Sequence, residues 1–114
     1  MKGLNKVMLI GNLGDIPEIK NLVGDVKVAK FSLATTESYK DDKGQIHSNT
    51  EWHTVLAWRG LADLAEKYLS KGSLVHIEGK IKYRFYEDKT GLKRYITEII
   101  AEHLLLLDKK NDGE

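Results

Sequence analysis

The chain of 114 residues has no cysteine and a single proline, Pro17. The missing thiols exclude disulfide frameworks, thiolate metal sites and cysteine nucleophiles. No apolar run approaches the roughly 20 residues of a membrane-spanning helix, and the first residues do not resemble a signal peptide. No membrane association is expected, and the expected location is the cytoplasm. A strong charge of one sign is also missing: 18 Lys+Arg stand against 17 Asp+Glu, a formal net charge of +1. On that average the chain lacks the basic excess usual in nucleic-acid binders. The length allows one domain, large enough to close a core without covalent staples.

Repeats, linkers and low-complexity tracts are absent too; only Asp108 to Glu114 reads as a frayed polar end, leaving residues 1–107 as the ordered domain. Within it, short apolar alternations separated by turn signals dominate. Val7-Met8-Leu9-Ile10 is an apolar run that Gly11-Asn12 is expected to stop. Leu13 to Asp25, with Gly14-Asp15, Pro17 and Gly24, reads as irregular. Val26 and Val28, then Ala29, Phe31 and Leu33, alternate with polar residues, and the change of phase between Val28 and Ala29 predicts a bulge. Thr36 to Thr50 encloses ESYKDDKGQIHSN, too polar for a core element and read as a long hairpin loop. In Thr50 to Trp58, Trp52, Thr54, Leu56 and Trp58 share one face and His53, Val55 and Ala57 the other.

Leu61, Leu64, Ala65, Tyr68 and Leu69 follow helical spacing, and Gly72 supplies the stop. Two more strands are predicted, Leu74 to Tyr86 and Arg94 to about Leu105, joined by Glu87-Asp88-Lys89-Thr90-Gly91. Three strands, one helix and two strands leave other small barrels open by order alone; the position of the helix and the bulge expected in the early strand favour the OB-fold, an all-β five-stranded Greek-key barrel with a short helix between strands 3 and 4.

Enzymatic chemistry finds little material. His47, His53, His76 and His103 are scattered without metal-ligand spacing, so no metal site is expected. Glu51 and His53 share a strand face but have neither nucleophile nor third partner. Gly11-Asn12-Leu13-Gly14 lacks the Lys-Ser/Thr of a phosphate loop, and its glycines are read as serving a turn. The chain is not expected to be an enzyme, and no cofactor is implied.

The aromatic residues are better explained by a ligand with flat faces. Trp52 and Trp58 either both fill the core or both stand outside it. Val55 and Ala57, on the opposite face, already suffice for a core side. In the following strand Ile81, Tyr83 and Phe85 alternate with Lys80, Lys82, Arg84 and Tyr86, so one face is cationic and ends in an aromatic. Tyr39, between Ser38 and Lys40, is another exposed candidate. Cations interleaved with exposed rings are what a single strand of nucleic acid requires: stacking contributes about 1–3 kcal/mol per base, and cations neutralise phosphates. The charge average hides such a track. Residues 80–95 hold Lys80, Lys82, Arg84, Lys89, Lys93 and Arg94 against only Glu87 and Asp88.

Five segments, LNKVMLIGNLGDIPE (4–18), FSLATTESYKD (31–41), TEWHTVLAWRGLAD (50–63), EKYLSKGSLVHIEGKI (66–81) and YEDKTGLKRYITEI (86–99), resemble the bacterial single-stranded DNA-binding protein family, with GNLG, ATTES, TEWH, YLSKGS and IEG as its motifs. The resemblance runs from about Lys2 to Leu107. It implies an OB-fold, a homotetramer, a nucleoid-associated location, and binding of single-stranded DNA without sequence preference in replication, recombination and repair. Residue by residue it assigns base stacking to Tyr39, Trp52, Trp58 and Tyr86. Phosphate contacts fall on Lys2, Lys6, Lys20, Lys71, Lys82 and Arg84, and His53 matches a subunit-interface histidine. Thr54 and Phe85 depart from the pattern, standing where cations are frequent. Family members continue into a Gly/Gln/Pro-rich linker and an acidic tail that recruits replication and repair proteins. Asn111-Asp112-Gly113-Glu114 is not such a tail, and recruitment through one is not expected of these residues.

Overall fold

The computed structural model describes residues 2–108. In chain order the elements are β1 (Val7–Leu13), β2 (Glu18–Leu22), β3 (Val26–Lys40), β4 (Ile46–Trp58), α1 (Gly60–Tyr68), β5 (Leu74–Glu87) and β6 (Lys93–Leu106). Neighbouring strands follow the order β1-β5-β6-β4-β3-β2, and β1 also pairs with β3 through Asn12↔Ala34 and Leu13↔Leu33. The pairings therefore return to β1. Among the described residues only β4 and β6 run parallel, through Val55↔Ile99 and Leu56↔Ile100. With α1 between β4 and β5, this is the expected OB-fold, and β2 is an added strand hydrogen-bonded to β3.

The core forms where inward residues of β1, β3, β4, β5 and β6 meet: Leu13, Ala29, Phe31, Leu33, Val55, Ala57, Val75, Ile77, Ile99 and Ala101 are buried, with Ile19 of β2 packed against them. Helix α1 adds Ala62 and Ala65 to this core, and Leu69, just past its end, joins them. Its buried stripe is shifted from the predicted one. Ala62 belongs to it, whereas Tyr68 is exposed and carries Lys67 near its ring.

Five local expectations are corrected. Gly11-Asn12 does not end β1, which continues to Leu13. Gly11 serves close approach instead of a turn, because a Cβ there would stand 2.2 Å from the Ala34 carbonyl oxygen. The segment read as irregular contains β2. No bulge separates Val28 from Ala29; both pair in uninterrupted register with Trp58 and Ala57. They are buried on opposite faces, Ala29 in the core and Val28 beside the Trp58 face. The bulge lies at Glu78/Gly79, where β5 skips Glu102 of β6. Finally, the polar stretch 36–50 is a two-stranded arm with the pairing Thr36↔Thr50 through Lys40↔Ile46, turned at Asp41–Gln45. Backbone pairing needs no apolar side chains, and the side chains here add hydroxyl pairs, Thr36–Thr50 at 2.9 Å and Ser38–Ser48 at 3.1 Å. The expected polar end lies, from Lys109 onward, outside the described residues.

Candidate nucleic-acid interface

Alternation along the strands separates a core face from an outer face. On the outer face of the sheet, Lys20, Val28, Lys30, Leu56, Trp58, Ile100, Glu98, Lys82 and Arg84 come together, drawn from β2, β3, β4, β6 and β5. They form an open groove with one lobe of about 660 Å³ reaching Asn5, Lys80 and Ile81. A second lobe of about 220 Å³ lies toward Glu18, Lys20 and Leu22. Leu56, Trp58, Arg84 and Glu98 line both. Trp58 remains 38% exposed in the middle of this surface. Sequence alternation thus identified the outward face of β4 correctly, since Val55 and Ala57 are fully buried.

Trp52 lies six residues along the same outward face, about 20 Å away at the usual rise per strand residue. It is 61% exposed and packs over Gly14, where a Cβ would meet its ring at 2.6 Å. Lys71 belongs to this end: Gly72, its neighbour, donates to the Leu13 carbonyl, one residue from Gly14. Tyr86 shares the β5 face of Lys82 and Arg84 and pairs with Arg94. Tyr39 is placed differently. Strand parity puts it on the face of the arm opposite Trp52, stacked on His47 with ring centroids 5.2 Å apart. His53, half-buried on the inward face of β4, shares a 2.9 Å hydrogen bond with Thr35 Oγ1.

Among the assigned cations, Lys20, Lys82 and Arg84 meet in the groove, whereas Lys2 stands exposed near the beginning of the chain. Lys6 is bridged to Glu78 at 3.2 Å. Arg84 is already engaged. Its Nε and Nη2 donate to Glu98 Oε1 and Oε2 at 2.8 and 3.0 Å. Glu98 itself is only 2% exposed. Arg84, above all, holds this carboxyl below the usual carboxylate range against the opposing effect of burial, and the fields of Lys30 and Lys82 act in the same direction.

The groove also contains residues to which the sequence reading gave no role. Lys30 looked like an ordinary solvated position in an alternating strand; only the pairing of β3 with β4 brings it beside Leu56. Asn5 precedes any predicted strand, yet its side chain brackets Ile81, donating to its carbonyl at 2.8 Å and accepting from its N–H at 2.9 Å. Glu98 carried no signal, because its partner lies 14 residues away across the β5–β6 register. Among the described residues no His/Asp/Glu cluster suited to a metal ion is formed.

The turn joining β5 and β6 has its own charge device. Asp88 accepts from the Thr90 hydroxyl at 2.7 Å and from Arg94 Nε at 2.8 Å, with the Thr90 and Leu92 amides also directed at it. Thr90 first and Arg94 second lower its pKa from 3.8 to about 2. A carboxylate depressed in the folded state stabilises it fully above the unfolded pKa, and that contribution is lost as pH falls. The turn should therefore loosen between about pH 4 and pH 2. Carboxyl NMR titration checks this, and an Asp88 midpoint at 3.8 would sink it.

Residues 4–107 match the Single-strand binding protein family. The chain belongs to this family. A Single-stranded DNA-binding protein 1 of Chlorobaculum tepidum is 46% identical over 113 residues, covering 98% of this chain and 70% of that protein. A Single-stranded DNA-binding protein 1 of Xylella fastidiosa is 43% identical over 114 residues, covering 99% and 84%. In structure, the chain resembles a Plasmodium falciparum SSB solved in complex with ssDNA, with a TM-score of 0.85 and 41% identity over 95% of this chain and 98% of that one. It also resembles a deletion mutant of the single-stranded DNA binding protein from Thermus aquaticus, with a TM-score of 0.78 and 30% identity over 93% of this chain and 51% of that one. As a member of the single-strand binding family, the chain has its OB-fold accounted for over nearly the whole described length.

Proposed function

We infer that this protein binds single-stranded DNA without strong sequence preference and coats it during replication, recombination and repair, assembled as a homotetramer. The observation that carries the reading is Trp58, exposed on an open sheet face and ringed by Lys20, Lys30, Lys80, Lys82 and Arg84, in a chain of the single-strand binding family. Single strands present base faces that duplexes hide, and every base has one. Bases stack on Trp52, Trp58 and Tyr86, with Tyr39 reached on the other side of the β3–β4 arm. The phosphates follow Lys20, Lys82 and Arg84, with Lys2, Lys6 and Lys71 toward the ends of the track and His53 at a contact between subunits. The family binds DNA and is not enzymatic, and the groove serves as a binding surface.

Titration with poly-dT while tryptophan fluorescence is followed tests the reading directly. Strong quenching at low salt is expected, and none would defeat the stacking model. Light scattering should give a mass of about four chains, a common closed symmetry; a stable dimer would overturn the tetramer. The salt dependence discriminates among the cations. Lys82→Ala should lower the slope of log K against log salt by roughly one ion. Arg84→Ala should lower it by less, since Glu98 already compensates its charge. Equal slopes for both variants would mean that Glu98 releases Arg84 completely on binding.

A further inference from the structure

The β5–β6 arm carries a second aromatic surface that the groove does not use. Beyond Ile81, the residues continuing the core-facing parity of β5 rise clear of the barrel. Tyr83 pairs with Thr97 and Phe85 with Tyr95, on the face opposite Lys82, Arg84 and Tyr86. Tyr83 is 70% exposed, Phe85 60% and Tyr95 75%. The Phe85 and Tyr95 rings stand 6.1 Å apart at 46°, and Lys93 Nζ lies 5.0 Å above the Phe85 ring. Three neighbouring rings held in the open are a costly use of aromatic surface unless a partner covers them.

Charge decides what kind of partner fits. On the arm Arg84 and Arg94 are paired with Glu98 and Asp88, which leaves Lys80, Lys82, Lys89 and Lys93 against Glu87. The ligand is therefore anionic and offers planar faces, which describes a single strand of nucleic acid. A strand leaving the groove along Lys82, Arg84 and Tyr86 and rounding the tip of the arm meets Tyr95, Phe85 and Tyr83 next. We propose that the Tyr83–Phe85–Tyr95 face is a second base-stacking subsite for single-stranded DNA, so that long strands wrap around the β5–β6 arm. The inference rests on the binding reading above and extends it to a surface which that reading leaves empty.

The test compares the intact protein with the Phe85→Ala/Tyr95→Ala double variant on dT oligonucleotides of two lengths. The shorter lies within the roughly 4–16 nucleotides one such barrel covers, the longer several times that. Short-strand affinity should stay within about twofold, while long-strand affinity falls about tenfold or more, the loss of one or two stacks. The number of nucleotides covered per chain should fall with it. Phe85→Trp should restore long-strand binding and add fluorescence that long strands quench and short ones do not. Unchanged long-strand binding overturns the proposal. So does a changed assembly mass with unchanged binding, which would make this face a protein contact. A wild-type protein that fails to bind even the short strand would instead defeat the groove reading on which the proposal stands.

Discussion

Trp52→Ala and Trp58→Ala should each weaken single-strand binding by about 1–3 kcal/mol, roughly 5- to 150-fold, the contribution of one base stack. Their effects on folding should differ, and that difference makes the prediction specific. Trp52 stands mostly in solvent, with Gly14 as its support. Its removal should leave the melting temperature nearly unchanged, as for other exposed positions. Trp58 pairs with Val28 and shares the groove with Leu56, so its removal also uncovers apolar surface and lowers stability. Trp58→Phe should recover the stability and much of the affinity. Equilibrium titration at fixed salt, beside thermal unfolding, separates the two contributions. If Trp52→Ala lowered the melting temperature and left affinity intact, its ring would be a structural element and the stacking track would have to be redrawn.

Gly79→Ala should be among the most damaging single substitutions in the barrel. Gly79 sits opposite the β6 bulge at Glu102, and a Cβ there would stand 2.1 Å from the Ile100 carbonyl oxygen and 3.1 Å from the Ala101 Cα. Both are backbone atoms within a paired strand, so no side chain can swing aside. The strands must separate where the barrel passes into the arm, a strain of about 1–3 kcal/mol or more. The melting temperature should fall by several degrees, at about 4–8 °C per kcal/mol in a domain slightly smaller than this one. DNA affinity should fall too, because Lys80, Lys82 and Arg84 are carried by the displaced strand. Gly60→Ala is the control. It opens α1 with nothing within 4 Å of the added Cβ and without a positive φ. It should be neutral or stabilise by about 0.4–1 kcal/mol through the unfolded chain. If Gly79→Ala melted like the wild type, the close approach at the bulge would not be a constraint.

What the sequence could determine alone was local or cumulative. Val55 and Ala57 against Trp52 and Trp58 settle which side of β4 faces outward, because side chains alternate strictly along a strand. The spacing through Leu61, Ala65 and Leu69 sets the helix between the third and fourth barrel strands, and hence the OB-fold order. Family motifs spread over residues 4–99 identify the family without any coordinates. The cationic run 80–95 is legible even though the net charge is +1.

The remaining features required partners that lie far along the chain, and strand register decides them. Gly11 looked like a turn residue until β1 met Ala34 on β3. The polar stretch 36–50 looked like a loop because apolar alternation is absent, yet backbone hydrogen bonds and paired hydroxyls are enough to extend a hairpin. Tyr39 and Trp52 share a hairpin but occupy opposite faces, since they differ by odd parity in the paired register. Arg84 appeared as a free cation, whereas the β5–β6 pairing delivers Glu98 to it. The sequence determined that this chain has a basic and aromatic track. Tertiary structure decided which of its charges are already neutralised and which of its rings face the same way, because those properties belong to strands paired across the barrel and not to any one segment.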